Sequence, residues 1–189
     1  MEREVEVKLS IINVNKAKEV LISIGCTLVR ICTEIDAYYS HPCRDFAKTD
    51  EALRFRRRTC SDGSTNYIIS YKGPRQHTNI QGLKVREEQE IAVDEEETWL
   101  KLRSIFERLG FKLVASFAKN REMYSGIDFE AYLDTLIGVG HFIEIEAKKR
   151  ESRELLERLM LHFMRTLGAS VVDKTYLEIC LETGSCTTS

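Results

Sequence analysis

The segment Glu4-Val5-Glu6-Val7-Lys8, close to the start of the chain, alternates charged and apolar residues. Side chains of a β-strand alternate between its two faces, so Glu4, Glu6 and Lys8 share one face and the two valines share the other. The same alternation recurs in segments 54–56, 86–90, 119–121 and 144–146. A solvated sheet face would explain any one of these strands alone. Their recurrence along the chain needs a common explanation.

A closed barrel provides that explanation, because one set of alternating strand positions then lines the interior. The opposite, apolar set would face outward, where helices can cover it. The interior would be a polar tunnel that contains charges of both signs. We therefore predict that the following residues point inward: Glu4, Glu6, Arg54, Arg56, Arg86, Glu88, Glu90, Glu144 and Glu146.

Three segments, 16–24, 95–109 and 151–167, have apolar residues at helical spacing. Each is followed by a glycine, which is typical of a left-handed helix C-cap. Asp94 and Glu97 resemble a capping box at the start of the second helix. Hairpin signals such as Ser61-Asp62-Gly63-Ser64 indicate antiparallel pairing. The pattern predicts an α+β fold, an eight-stranded antiparallel β-barrel with helices packed outside, in one domain over residues 1–182 with a flexible tail at 183–189.

Composition narrows the function classes. The 189 residues include 28 Lys and Arg and 30 Asp and Glu, a net charge of −2, which argues against a nucleic-acid partner. No apolar run approaches the roughly 18 residues of a membrane helix, and the N-terminus lacks a signal-peptide pattern, so we expect no membrane partner. The six cysteines show no Cys-x-x-Cys spacing, and we expect reduced thiols in a cytoplasmic protein. The sequence leaves a homodimer open.

The mixed charges of the predicted tunnel point to a particular chemistry. Clustered carboxylates suit hard divalent cations such as Mg²⁺ or Mn²⁺, which prefer oxygen ligands. Clustered arginines and lysines suit a polyphosphate, to which arginine can donate two hydrogen bonds at once. Together they suit a metal–triphosphate complex, because both kinds of cation neutralise charge that develops during phosphoryl transfer.

The motifs also resemble, in order, those of the CYTH, or triphosphate tunnel metalloenzyme, superfamily. The first segment resembles its E-x-E-x-K signature, and Lys119-Asn120-Arg121 resembles its K-x-R strand. The resemblance covers residues 4–146 and is carried by segments 4–8, 53–56, 71–74, 86–90, 119–121 and 133–146. Residues 176–178 resemble the closing segment of the cyclase-like branch.

The resemblance implies a tunnel fold, a Mg²⁺ or Mn²⁺ cofactor, and a triphosphate partner such as ATP, thiamine triphosphate or tripolyphosphate. The implied metal ligands are Glu4, Glu6, Glu144 and Glu146, followed by Glu90 and Asp134. The implied triphosphate-binding residues are Lys8, Arg54, Arg56, Lys72, Arg86, Lys119 and Arg121. The implied catalytic residues are Lys72, Lys119 and Arg121.

The resemblance is closest to class IV adenylyl cyclases, which would convert ATP to cyclic AMP and pyrophosphate. Hydrolysis of thiamine triphosphate, inorganic triphosphate or a nucleoside triphosphate is the alternative. A module that binds a polyphosphate or nucleotide without turnover is the third possibility. Lys119 is a candidate general base, because neighbouring cations would favour its neutral form.

Overall fold

The computed structural model describes residues 2–76, 78–148 and 153–188. Its strands are β1 (Glu2–Ile11), β2 (Thr27–Ser40), β3 (Ala52–Cys60), β4 (Thr65–Lys72), β5 (Leu83–Val93), β6 (Lys112–Ser125), β7 (Phe129–Leu136), β8 (Gly140–Ala147), β9 (Ser170–Val171) and β10 (Thr187–Thr188). Its helices are α1 (Val14–Ser23), α2 (Phe46–Thr49), α3 (Glu96–Arg108), α4 (Arg153–Leu167) and α5 (Tyr176–Thr183).

The first eight strands form a closed antiparallel barrel. Their order is β2-β3-β4-β5-β1-β8-β7-β6, and β6 pairs with β2 to close the ring. The predicted fold class is therefore confirmed. The two short strands lie at places where a barrel strand has free backbone groups: β9 pairs with Leu9 and Ser10 of β1, and β10 pairs with Ala115 and Ser116 of β6.

Helices cover the outward, apolar face of the barrel. Val5 and Val7 of β1 are buried in one cluster with Leu156 and Phe163 of α4 and with residues of α1. A second cluster packs Phe55 of β3 and the strands beside it against Trp99 of α3. Because the valines of β1 face the helices, the alternate positions of β1 face the barrel interior.

The three predicted helices match α1, α3 and α4, although residues 151–152 at the predicted start of α4 lie outside the described part of the chain. Gly25, Gly110 and Gly168 follow them with φ of +87°, +95° and +64°, the left-handed conformation that the sequence predicts. The capping box at Asp94 is wrong. Helix α3 begins after Glu95, whose side chain makes no capping hydrogen bond.

Helix α5, which lies across one end of the barrel, has no counterpart among the helices predicted from the sequence. Its side chains Tyr176, Ile179 and Cys180 are buried in a third cluster with Phe117 and Leu136. The helix begins with a capping box, in which the Thr175 hydroxyl accepts from the Glu178 amide and the Glu178 carboxylate accepts from the Thr175 amide. Helix α5 therefore closes one end of the interior with an apolar plug.

The expectation of six reduced thiols is wrong for four cysteines. Cys32 on β2 and Cys60 on β3 lie directly opposite each other and form a disulfide, and Cys180 is bonded to Cys186. Sequence spacing alone cannot show the first pair, because it depends on the register of two strands. The second pair and β10 place residues of the predicted tail against the barrel. The domain division at residue 182 and the flexibility of the tail stay predictions.

Among the described residues, no helix is both long enough and apolar enough to span a bilayer. The cytoplasmic location and the homodimer stay predictions.

Candidate active site

The barrel encloses a cavity of about 280 Å³ whose walls are mainly charged. All nine residues predicted to point inward line this cavity, so their predicted orientation is confirmed. The cavity is also lined by the four other cations assigned to triphosphate binding, Lys8, Lys72, Lys119 and Arg121. Among the predicted site residues, Asp134 alone does not line it.

Strands β2 and β3 bring a row of arginines against two buried acids. Arg56 donates to both carboxylate oxygens of Asp36, at 2.6 and 2.7 Å, and its Nη1 lies 3.2 Å from Glu34. Arg58 donates to Glu34 at 2.6 Å. Burial alone would raise the pKa of both carboxyls, but the charge of Arg56 and of the neighbouring cations holds both pKa values below their usual range. The acids are therefore anions that orient the arginines.

Strands β6 and β7 form a second buried network. The Lys119 ammonium lies 3.2 Å from both Glu34 and Asp134, and Arg121 donates to Asp134 and to Glu144. Lys119 therefore lies between two carboxylates and not only among cations, as the sequence analysis assumed. Asp134 is fully buried in the wall behind the cavity, where its contacts position Arg121 and Lys119. Its predicted role as a metal ligand stays a prediction.

Lys8 and Tyr176 connect this network to helix α5. The Lys8 ammonium lies 3.6 Å from the centre of the Tyr176 ring and 3.3 Å from the Glu144 carboxylate. The Tyr176 hydroxyl donates to Asp134 at 2.8 Å. Burial lowers the pKa of Lys8 to about 8, and the charge of Glu144 opposes that effect. Helix α5 thus contributes a side chain to the charged site that it covers.

Acidic residues from β1, β5 and β8 form a group on another part of the wall: Glu4, Glu6, Glu88 and Glu146. The Lys72 ammonium donates to Glu4 at 2.8 Å and lies 3.1 Å from Glu88, while Lys84 lies 3.5 Å from Glu6. Burial and the charges of Glu4 and Glu6 raise the pKa of Glu146 to about 8. The raised pKa reflects how closely the four carboxyls crowd this part of the wall.

Two arginines complete the cationic lining. Arg54 donates to Glu90 at 2.7 Å and lies 3.7 Å from Glu88. Arg86 donates to the carbonyl oxygens of Gly73 and Asp50, at 2.9 and 3.0 Å. Because these two bonds go to neutral acceptors, they position the guanidinium of Arg86 without neutralising its charge.

A protein-family model described as the CYTH domain matches residues 2–176 of this chain. The chain belongs to the CYTH domain family. A protein of Methanocaldococcus jannaschii named "Putative adenylate cyclase MJ0240" is 37% identical over 183 residues, which are 93% of this chain and 97% of that protein. These matches include the strands that line the cavity.

Solved structures support the same fold. The PH1819 protein from Pyrococcus horikoshii superposes with a TM-score of 0.77 at 33% identity, covering 94% of this chain and 99% of that one. A "putative adenylyl cyclase HpAC1" from Hippeastrum, described as having a dominant triphosphatase activity, superposes with a TM-score of 0.68 at 18% identity, covering 96% of both chains. At that identity the second similarity shows the fold alone.

The acidic group of this CYTH domain fits a hard divalent cation in its chemistry. All its donors are carboxylate oxygens, and Oε1 of Glu88 is buried without accepting a hydrogen bond. Within the described ranges, however, no three acidic, histidine or cysteine side chains converge as a ready-made ligand set. Lysine ammonium groups occupy oxygens of Glu4, Glu6 and Glu88, and a bound cation would have to compete with them.

Several residues of the CYTH domain's site were not predicted from the sequence. Glu34 and Asp36 alternate along β2 as the predicted inward residues do on other strands, and this alternation could have identified them. The capping box at Thr175 and Glu178 could have identified α5 and hence Tyr176 as part of the site. The ion pairs between the strands could not be read from the sequence, because they depend on strand register.

Proposed function

We propose that this CYTH domain is an enzyme that binds a triphosphate together with a divalent cation in its barrel, and that it acts on ATP as a class IV adenylyl cyclase. The observation that carries the proposal is the cavity itself, in which eight lysines and arginines line the interior beside a crowded group of carboxylates. A site that binds only anions would not need the carboxylates, and a site that binds only cations would not need the arginines.

The similarity to the M. jannaschii protein, which extends over almost the whole length of both chains, supports the choice of cyclisation. In that reaction the 3′-hydroxyl of ATP attacks the α-phosphorus and loses its proton. The bond from the α-phosphorus to the bridging oxygen breaks, and pyrophosphate leaves with the electron pair of that bond. The site must therefore stabilise negative charge on the leaving phosphates.

The arginines and lysines of the wall are suited to that task. Arg54, Arg56 and Arg121 are held by carboxylates in fixed orientations, so they need little reorganisation to donate to phosphate oxygens. Lys72 and Lys119 would add point charges beside them. Removing one buried partner of a charged phosphate typically costs about 2–5 kcal/mol.

A bound Mg²⁺ or Mn²⁺ would neutralise part of the negative charge of the triphosphate. By their position Glu4, Glu6 and Glu146 are the first candidates to hold it, and Glu144 and Glu90 line the same cavity. Since Glu144 already pairs with Lys8 and Arg121, it also positions these two cations.

Hydrolysis of a triphosphate is the second candidate. A cavity of about 280 Å³ lies at the lower end of ligand-pocket volumes and has room for a triphosphate group alone. The structural neighbour with a dominant triphosphatase activity agrees with this reaction. Water would then attack the terminal phosphorus, and the same cations would stabilise the departing diphosphate.

A product assay separates the candidates. The purified protein is incubated with Mg²⁺ or Mn²⁺ and with ATP, thiamine triphosphate or tripolyphosphate. Cyclic AMP with pyrophosphate supports the cyclase, and orthophosphate supports the hydrolase. If none of the three substrates gives a product with either metal, the enzyme proposal is wrong and the binding module is favoured.

A further inference from the structure

Four apolar side chains of the cavity lining are not explained by binding of phosphate or metal. Phe46 and Ala47 of α2 line the cavity together with Leu177 and Leu181 of α5. The two leucines are four residues apart and thus lie on the same face of their helix. Leu181 is 44% exposed although it belongs to a cavity wall. We refer to these four side chains as the apolar wall.

An ion cluster, two of whose members also line the cavity, joins α2 to α5. Asp50, the residue that ends α2, and Glu178, in the first turn of α5, both bind Arg75. The same Arg75 nitrogen, Nη2, lies 2.8 Å from Asp50 and 3.1 Å from Glu178. One guanidinium therefore fixes the end of α2 beside the start of α5. The parts of α2 and α5 that face the cavity are therefore held in place relative to each other.

The charged interior continues into the apolar wall within a single cavity. Arg54 and Tyr38 line this cavity together with the wall and the remaining cations. A ligand whose phosphates lie among the arginines can therefore extend a second, non-phosphate group toward α2 and α5. Inorganic triphosphate has no such group, whereas a nucleobase is flat, largely apolar on its faces and able to pack on leucine and phenylalanine side chains.

We propose that the apolar wall receives the nucleobase of a nucleoside triphosphate, and that Leu177 and Leu181 are specificity-determining residues that favour a nucleotide over inorganic triphosphate. This inference rests on the proposed triphosphate site. Loss of an apolar contact in such a pocket typically changes discrimination by roughly tenfold to two-hundredfold. Leu181 is largely exposed to solvent, so replacing it removes little of the hydrophobic core, whereas Leu177 also packs against the cluster that contains Tyr176 and Ile179.

The test compares Leu177→Ser and Leu181→Ser with the wild-type chain. The matched control is Leu100→Ser, because Leu100 lies on α3, is 48% exposed and is outside the cavity lining. Two probes are titrated by calorimetry with Mg²⁺: an ATP analogue and a triphosphate, both with methylene groups in place of the bridging oxygens. Neither probe can be turned over at these bridges, so binding is measured independently of activity.

We expect each cavity variant to weaken binding of the ATP analogue by roughly tenfold or more while binding of the methylene triphosphate changes less than about twofold. The control should change neither. Equal losses for both probes, or unchanged binding of the ATP analogue, would overturn the assignment of the apolar wall while leaving the triphosphate site in place. If the wild-type chain binds neither probe, the proposed function itself fails and the inference falls with it.

Discussion

Arg56 and Asp36 lie directly opposite each other on β3 and β2, and the guanidinium donates to both oxygens of the carboxylate inside the barrel. A third residue, Glu34, pairs with the remaining Arg56 nitrogen at 3.2 Å. The interior cations are therefore built into the wall before any ligand binds. This pairing makes the same residues responsible for stability and for ligand binding.

Arg56→Ala should destabilise the fold, because it leaves Asp36 and Glu34 buried with less positive charge beside them. We expect a loss of about 3–5 kcal/mol in the free energy of unfolding, measured by urea denaturation at neutral pH. Adding Asp36→Asn to this variant should restore part of the loss. Arg57→Ala is the control, since Arg57 is the exposed neighbour on the same strand and should cost under about 1 kcal/mol. Equal costs at the two arginines would contradict the prediction.

Two changes at Tyr176 should separate the role of its hydroxyl from that of its ring. Tyr176→Phe removes the hydrogen bond to Asp134 and should cost about 0.5–1.5 kcal/mol of stability. Tyr176→Ala also removes the ring that packs beneath Lys8 and plugs the barrel, and should cost about 3–5 kcal/mol. Thermal and urea unfolding of the two variants measure the difference. Similar costs for both would mean that the ring contributes little.

Removal of divalent metal should abolish turnover, and excess EDTA tests this directly. Glu6→Gln and Glu146→Gln should each lower activity at limiting Mg²⁺, because the loss of a carboxylate charge weakens metal affinity. Raising the Mg²⁺ concentration should restore part of the activity. Glu97→Gln, on the exposed face of α3, is the control and should behave as the wild type. Full activity in EDTA would show that the acidic group does not act through a metal.

The chain purified without reductant and then denatured should expose two thiols, from Cys26 and Cys43. Alkylation followed by mass spectrometry counts them. After treatment with a dithiol reductant the count should rise to six, because each of the two disulfides releases two thiols. Six alkylated cysteines before reduction would show that the purified chain contains no disulfide.

The barrel could be predicted from sequence because its strands repeat one rule, with charges on one face and apolar residues on the other. Val5 and Glu6 are sufficient to show the principle: the first is buried among helices and the second faces the cavity. Three of the helices could also be predicted from the sequence, since their apolar spacing and terminal glycines are local signals. The short helix α5 was missed because only eight residues carry its pattern.

The site was only partly predictable for a different physical reason. The inward orientation of Arg54, Arg56 and Glu146 follows from local alternation, but the partner of each depends on strand register. Asp134 illustrates this limit: its side chain shares the inward parity of β7, yet Arg121, Lys119 and Tyr176 enclose it so that it does not line the cavity. Such contacts join residues that are far apart in sequence and have no local signature.

Strand β1 has a consequence for how the chain folds. It pairs with β5 on one side and with β8 on the other, so Glu6 lies opposite both Lys84 and Glu146. During synthesis the barrel cannot close until β8 has been made, because closure pairs residue 6 with residue 146. Pairings of such long sequence separation slow folding, typically to the millisecond-to-second range in small all-β domains. Until β8 has been synthesised, the charged residues that will line the barrel therefore stay exposed to water.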